Sequence, residues 1–434
     1  MLTPWLTLDH PQVYSTPSHT CSLYASSDRI CNIQLGPQHP QIELCSGNTT
    51  STTTTVTSTL TSTSPTSTTM TPTCTTPPPS AGATWYCRGP ADSLSCSLSC
   101  SPGHSPTGVS EAVCQGGSFS PSLPSLPCSP AAVLLAGGSL LSPYRVDAAS
   151  TAELYSPGRN CSPLPSLPSP RAEAAMVRGP SGEVLLCGGT GPSTSPGAHT
   201  DCLQLDRNGS WVHHSLLTTE RVGGALVRAG GQLFMVGGVE ARQGSEHWGG
   251  GGQWEAGGAS LPLGVRSVYG HCLLPYNGDS FLLLGGLREQ TGYSTSAGVD
   301  MYNTTTGQWT QWPDMRRARR NQACAWVEGG LLVAGGVGEE EGTATTAEFL
   351  DMALNTWVEV GEMTFSREGG QMAVLGGDGE VAYMLGGYSR REGSYWDSVE
   401  RYSGEGGWGQ YGGMREERAG HAAVLVPEDW CHLL

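Results

Sequence analysis

An arginine recurs through the latter two-thirds of this chain in a fixed setting. An apolar residue is followed four positions later by Arg in Leu167/Arg171, Leu217/Arg221, Met315/Arg319, Met363/Arg367 and Met414/Arg418, and one position further on in Leu261/Arg266. A guanidinium fork holds a carboxylate through two parallel N–H bonds. Two roles follow from that chemistry. The series could form a surface for an acidic ligand, or each Arg could brace neighbouring structural units through carbonyls or a carboxylate. The segment MRRARRN adds Arg316, Arg317 and Arg320 to Arg319, a local basic cluster in a chain of net charge −16. The candidate binding residues are therefore Arg171, Arg221, Arg266, Arg316, Arg317, Arg319, Arg320, Arg367 and Arg418. GEEEG, with Glu339–Glu341, reads as a solvated loop.

Cysteine is the second chemical signal. The chain has 15, of which nine precede residue 130. Six of these (Cys74, Cys87, Cys96, Cys100, Cys114 and Cys128) fall in about 55 residues, where disulfides would stand in for a core. Six cysteines allow about 15 pairings, and the residues alone do not choose among them. Four N-x-[ST] sequons, at Asn48, Asn160, Asn208 and Asn303, are candidate glycosylation sites. Both features point to an extracellular, secreted protein. The first 20 residues have no basic region and no continuous apolar core, so no signal peptide is visible. An incomplete N-terminus would reconcile the two, and the odd cysteine count fits a lost partner.

Bulk composition narrows the classes. All 22 cations are Arg, and the acidic balance argues against a nucleic-acid partner. No run of 18 apolar residues exists, so no membrane insertion is expected. With 61 Gly, 30 Pro and 5 Phe, the chain favours turns and short strands over long helices.

The elements that must position these residues emerge from composition shifts and a repeat. Residues 1–48 form a short cysteine-bearing segment. Residues 49–73 are a Ser/Thr/Pro-rich, mucin-like linker that cannot bury a core and stays disordered. Residues 74–128 are the cysteine-dense module. From residue 131, apolar runs end in Gly-Gly at Gly138, Gly189, Gly238, Gly286, Gly336 and Gly387, at intervals of 48 to 51 residues. After each pair come a loop, a strand such as VDMYN, AEFLD or VERYS, and then a Trp at Trp211, Trp309, Trp357 and Trp408. The spaced Arg and a Gly/Ala-rich strand complete the unit. A period near 50 built of short strands indicates a β-propeller with one four-stranded sheet per blade. Blade one begins at its second strand, Ala132–Ala136, while His421–Val426 is a first strand without a blade. The tail strand is expected to enter blade one beside residues 132–138 and close the ring over 131–426, leaving 427–434 as a tail.

Six Gly-Gly runs and the latch strand give six blades. The diglycines, spaced aromatics and period together resemble the kelch repeat, which implies an all-β propeller with Trp packed between blades. In blade one Cys161 or Ser162 stands where Trp is expected, and the HWGGGGQW segment of blade three does not align. The second half of the disulfide module resembles a sushi (complement control) module, with Phe119 where that family has Trp. Some kelch propellers are enzymes. A galactose oxidase-like copper site would draw on His271, Cys272 and His421. A six-blade ring puts these on opposite sides, too far apart for ligand bonds of about 2 Å, so no metal or other cofactor is expected and the histidines read as ordinary strand residues. Intracellular kelch adaptors that this chain resembles hold acidic peptides with loop arginines.

Cys272 and Cys324 occupy equivalent first strands and are expected to be buried free thiols. Cys161 could pair with Cys202, and Cys431 with Cys128. The function expected from these readings is recognition of a protein or glycan partner without catalysis. Its alternatives are a secreted enzyme acting on sugars (galactose oxidase-like or sialic-acid epimerase-like) and an intracellular substrate adaptor.

Overall fold

The computed structural model describes four strands before residue 45 and, from residue 73 onward, all but 78–82, 124–126, 141–146, 193–196, 207, 240–243, 250, 339–341, 376–380 and 434. Asn48, Glu339–Glu341 and all but Thr73 of the linker lie outside the described residues. The chain divides into two compact units, Met1–Thr69 and Met70–Leu434. The first contains two hairpins, Val13–Thr16 with His19–Ser22 and Ile30–Leu35 with Pro40–Leu44. No helix among the described residues is long and apolar enough to cross a membrane.

The second unit holds six antiparallel sheets, each with a row of four strands, that succeed one another along the chain, and another four-stranded sheet in the cysteine module; a fifth strand from that module joins the first of the six. Each of the six uses a largely buried, apolar second strand, and Val184–Cys187, Ser280–Leu284 and Gly330–Ala334 are buried throughout. Such runs bury both faces, because each sheet packs against a neighbour on either side. The first strands pack in order from blade to blade, and the last of them returns to the first, so the sheets form a ring.

The tail closes this ring as expected. Ala422–Pro427 pairs antiparallel with Ala131–Ala136, from Ala131 opposite Pro427 to Ala136 opposite Ala422. It becomes the innermost strand of blade one, whose other strands are Cys128–Ala136, Ala152–Tyr155 and Pro163–Leu164. Two unpaired strand edges are thereby removed.

Blade three resolves the segment that did not align. Ser245–Trp248 is its third strand and Trp254–Ala256 its fourth, joined by a turn. Trp254 is buried and bonds Ser215 Oγ of blade two at 3.2 Å, so it fills the inter-blade Trp position. Trp357 does the same between blades four and five, donating to the Pro313 carbonyl at 2.8 Å. Blade one has no Trp there. Its buried Cys161 forms a disulfide with Cys431 beyond the latch strand, so a covalent bond stands where an indole packs elsewhere.

Three cysteine expectations are corrected. Cys202 pairs with Cys187, directly opposite it across two strands of blade two, and not with Cys161. Cys128 pairs with Cys100 inside the module and not with Cys431. Cys272 and Cys324 are not free thiols: they bridge the first strands of blades four and five, with Cα atoms 6.3 Å apart. Adjacent inner strands bring equivalent positions side by side, and two small side chains there meet across the boundary.

The cysteine module has a four-stranded sheet of Ala83–Arg88, Ser95–Cys100, Glu111–Gln115 and Ser118–Ser120. Cys74–Cys114, Cys87–Cys96 and Cys100–Cys128 knit it together. It is fused to the propeller through one strand. Cys128–Pro130 pairs with His104–Pro106 of the module, and the same strand continues as the second strand of blade one.

Candidate functional site

The arginine series is built by the turn between one blade's last strand and the next blade's first. Arg171, Arg221, Arg319, Arg367 and Arg418 are at most 1% exposed. Each guanidinium reaches the next blade's diglycine. Arg221, Arg319, Arg367 and Arg418 donate to the carbonyls of Gly237, Gly335, Gly386 and Gly137 at 2.8–2.9 Å, and Arg171 to Gly188 at 3.3 Å. Each also pairs with an acid on that blade's third strand. The pairs are Arg171–Asp201 (3.1 Å), Arg221–Glu246 (2.6 Å), Arg319–Glu348 (2.9 Å), Arg367–Glu400 (2.8 Å) and Arg418–Glu153 (2.8 Å). Four of the acids accept a further bond from a backbone N–H of the preceding turn: Thr218 to Glu246, Arg316 to Glu348, Thr364 to Glu400 and Arg415 to Glu153.

These arginines therefore do not face solvent. The expectation that the series lines a binding surface is corrected for these five: buried charges persist only when paired and hydrogen-bonded, and each guanidinium is turned inward onto a glycine carbonyl and a carboxylate. The glycines make the geometry feasible. A Cβ on the first glycine of the pair in blade one would collide with the Arg171 carbonyl oxygen, and Gly137 sits at φ 67°.

Arg266 departs from the series. It is exposed, and the buried Val268 takes the main-chain place of the arginine, its carbonyl accepting the Gly238 N–H at 2.8 Å. The missing guanidinium arrives from Arg288, just beyond the diglycine of blade four. It pairs with Asp300 at 2.7 Å and donates to Gly285 and Gly298. The acids Glu153, Asp201, Glu246, Asp300, Glu348 and Glu400 escaped the sequence reading. Their signal was present: every third strand carries one near its start, as in AEL, VDMYN, AEFLD and VERYS.

The basic cluster divides. Arg319 is a brace, Arg317 pairs with Glu359 at the surface (3.1 Å), Arg320 donates to Thr295 at 2.9 Å, and Arg316 is exposed. His271 and His421 lie between blades, against the diglycines of flanking sheets. The His271 ring abuts Gly237 and its Cβ Gly286, while His421 abuts Gly386 and Gly138 in the same way. Burial pushes both pKa values down to about 3, with Arg288 and Arg418 adding to the effect. The two rings therefore face different glycine pairs. Among the described residues no three His, Cys, Asp or Glu side chains gather to hold a metal.

Two faces remain. The turns joining first and second strands carry the cysteine module. Arg178 bonds Ser105 Oγ and the Pro106 carbonyl at 2.7 and 2.6 Å. Arg228 pairs with Glu111 and bonds Ser110, and Arg88 pairs with Asp279 at 2.9 Å. This face is occupied across blades two to four. The opposite face surrounds the mouth of the central channel, where a cavity of about 180 Å³ is lined by the starts of all six first strands.

At that mouth one residue per blade, Glu173, Gly223, Gly270, Asn321, Gly369 and Gly420, has φ between 54° and 68°. Each N–H donates to the carbonyl of the equivalent residue in the preceding blade, at 2.6–3.0 Å, and the six bonds form a closed circle. Four of the six are glycine, as this left-handed conformation favours. Beside the circle, Asn321 Nδ2 donates to Glu368 at 3.1 Å, and Glu368 is paired with Arg390. The half-buried Tyr388 and Tyr395 rings lie 4.8 Å apart. Burial, and secondarily Glu368, push the Glu173 carboxyl above its ordinary pKa.

No family model matches the chain. Kelch-like protein 23 of Homo sapiens is 29% identical over 149 residues, 34% of this chain. The chain spans a quarter (25%) of the length of that relative. The likeness agrees with the sheet order, the diglycines and the latch strand: the chain folds as a six-bladed β-propeller of the kelch type.

Proposed function

We propose that the chain is an extracellular binding protein whose propeller recognises a protein or glycan partner on its channel-mouth face. The observation that carries this reading is the division of the two faces. One is committed to the sushi-like module through Arg88, Arg178 and Arg228. The other combines loops, an open channel mouth and the surface arginines Arg316, Arg317 and Arg320, the arrangement in which rigid scaffolds present binding loops. Six disulfides among the described residues, three of them in the propeller, suit an oxidising compartment. Asn160 and Asn208 are exposed and fit N-glycosylation. Asn303 is half-buried, with its amide nitrogen bonded to Ser280 Oγ at 3.3 Å.

The test has two arms. Peptide mass spectrometry of the protein from a secretory host is expected to find glycan at Asn208 and oxidised Cys161–Cys431; reduced cysteines and bare asparagines would place it in another compartment. Capture of extracellular partners by the wild-type chain is then compared with a variant carrying Arg316→Ser, Arg317→Ser and Arg320→Ser, with Arg319 kept because it is a brace. Equal capture would remove the basic patch from the binding surface.

A further inference from the structure

The circle at the channel mouth leaves one polar group unanswered. Its backbone N–H and C=O groups bond one another around the ring, so the constriction offers a ligand few backbone groups. Only two of its residues bear side chains. Asn321 is engaged with Glu368, which Arg390 neutralises. Glu173 is different. Among the described residues no donor reaches its carboxyl, although it stands inside the ring over the cavity of about 180 Å³. Its position is well defined. Oε1 occupies the space a Cβ on Gly420 would need, and Oε2 lies 3.7 Å from where a Cβ on Gly223 would stand. The carboxyl thus spans the two neighbouring blades, held there because both neighbours are glycine.

We propose that the channel mouth receives one cationic side chain, a lysine ammonium or arginine guanidinium of a protein partner, with the Glu173 carboxylate as its counter-ion. A carboxylate without a partner in a confined site is unfavourable, and a cation with N–H donors supplies both the missing charge and the missing hydrogen bonds. Gly and Ala supply most of the lining and leave room for an alkyl stem. The amides that also line it are engaged, Asn321 with Glu368, Gln322 with the Leu284 carbonyl and Gln371 with the His421 carbonyl, and the His271 and His421 rings are turned onto the flanking diglycines. Tyr388 exchanges two backbone bonds with Glu368, the neighbour of Gly369 in the circle, and its ring packs on Tyr395, so an aromatic pair stands beside the circle, where ring faces favour a cation. The proposal rests on the channel-mouth face being the recognition face.

The test is calorimetric titration of the full chain with n-butylguanidinium and n-butylammonium chloride, with n-butanol as the uncharged control. Saturable binding of the two cations and none of the alcohol is expected. Binding should weaken by about tenfold or more in Glu173→Gln, the order expected for losing one charge-assisted hydrogen bond. If Glu173→Gln loses the native near-ultraviolet circular dichroism, Glu173→Asn replaces it, since Asn tolerates positive φ as Asn321 does. Equal cation binding in the variant and the wild type, or no saturable binding by the wild type, overturns the proposal. The titration needs no partner, so failed capture by the arginine-patch variant and failed cation binding are separate outcomes.

Discussion

The junction between blades three and four and the other five junctions reach one arrangement by two routes. Elsewhere the arginine comes from the turn entering the blade. In blade four it comes from Arg288, beyond the diglycine, while Val268 keeps the main-chain place and Arg266 stays in solvent. What is retained in all six is the pocket: a glycine carbonyl and a third-strand carboxylate that together demand a guanidinium. Once an acid is buried there, an unpaired charge is far costlier than a change in where its partner originates.

The largest expected effect breaks a brace. Arg367→Ala leaves Glu400 buried without its partner and should lower stability by about 3–5 kcal/mol, measured by denaturant unfolding. Arg288→Ala should cost a similar amount (about 3–5 kcal/mol), whereas Arg266→Ala should stay within about 0.5 kcal/mol. A matching loss in Arg266→Ala would show that the two residues had been assigned the wrong roles.

Blade one sharpens the comparison, because its Trp position is covalent. Cys161→Ser should cost about 2–4 kcal/mol through the latch disulfide and show as a lower Tm. An unchanged Tm would mean that the paired strands alone hold the ring shut.

The histidines give a smaller effect, dependent on pH. Their folded pKa of about 3 lies below the ordinary 6.5, so the unfolded chain binds more protons between those values. Stability is complete above the unfolded value and falls as pH drops from about 6.5 toward about 3, by at most ~1.4 kcal/mol per pH unit per histidine. The double variant His271→Gln, His421→Gln places at both sites the residue that Gln322 already supplies in blade five, where its amide donates to the Leu284 carbonyl at 2.8 Å. Its Tm should vary less with pH than that of the wild type. An unaltered profile would assign the acid sensitivity to other groups.

The smallest effect concerns the occupied face. Arg88→Ala removes a part-exposed pair with Asp279 and should cost at most about 1 kcal/mol. Hydrogen exchange of the strand Ala83–Arg88 should rise more than that of blade four.

The diglycine period, the spaced tryptophans and the tail strand were readable in the residues, because each is a local pattern that every blade repeats. Blade number and ring closure followed from counting them. The arginines were equally visible, but their direction was not. A guanidinium four positions after an apolar residue looks the same whether it faces water or a carboxylate on the next sheet, and that carboxylate lies 25 to 33 residues away in four of the six junctions. Arg266 misled for the same reason: spacing along the chain stood in for a position in space that Arg288 fills. Cysteine pairing also depended on three dimensions, since Cys161 and Cys431 are separated by 270 residues. Local backbone preference and apolar periodicity are written into the chain itself. Which charge meets which, which thiols touch, and that one carboxyl at the channel mouth meets none among the described residues were decided only when six sheets closed into a circle.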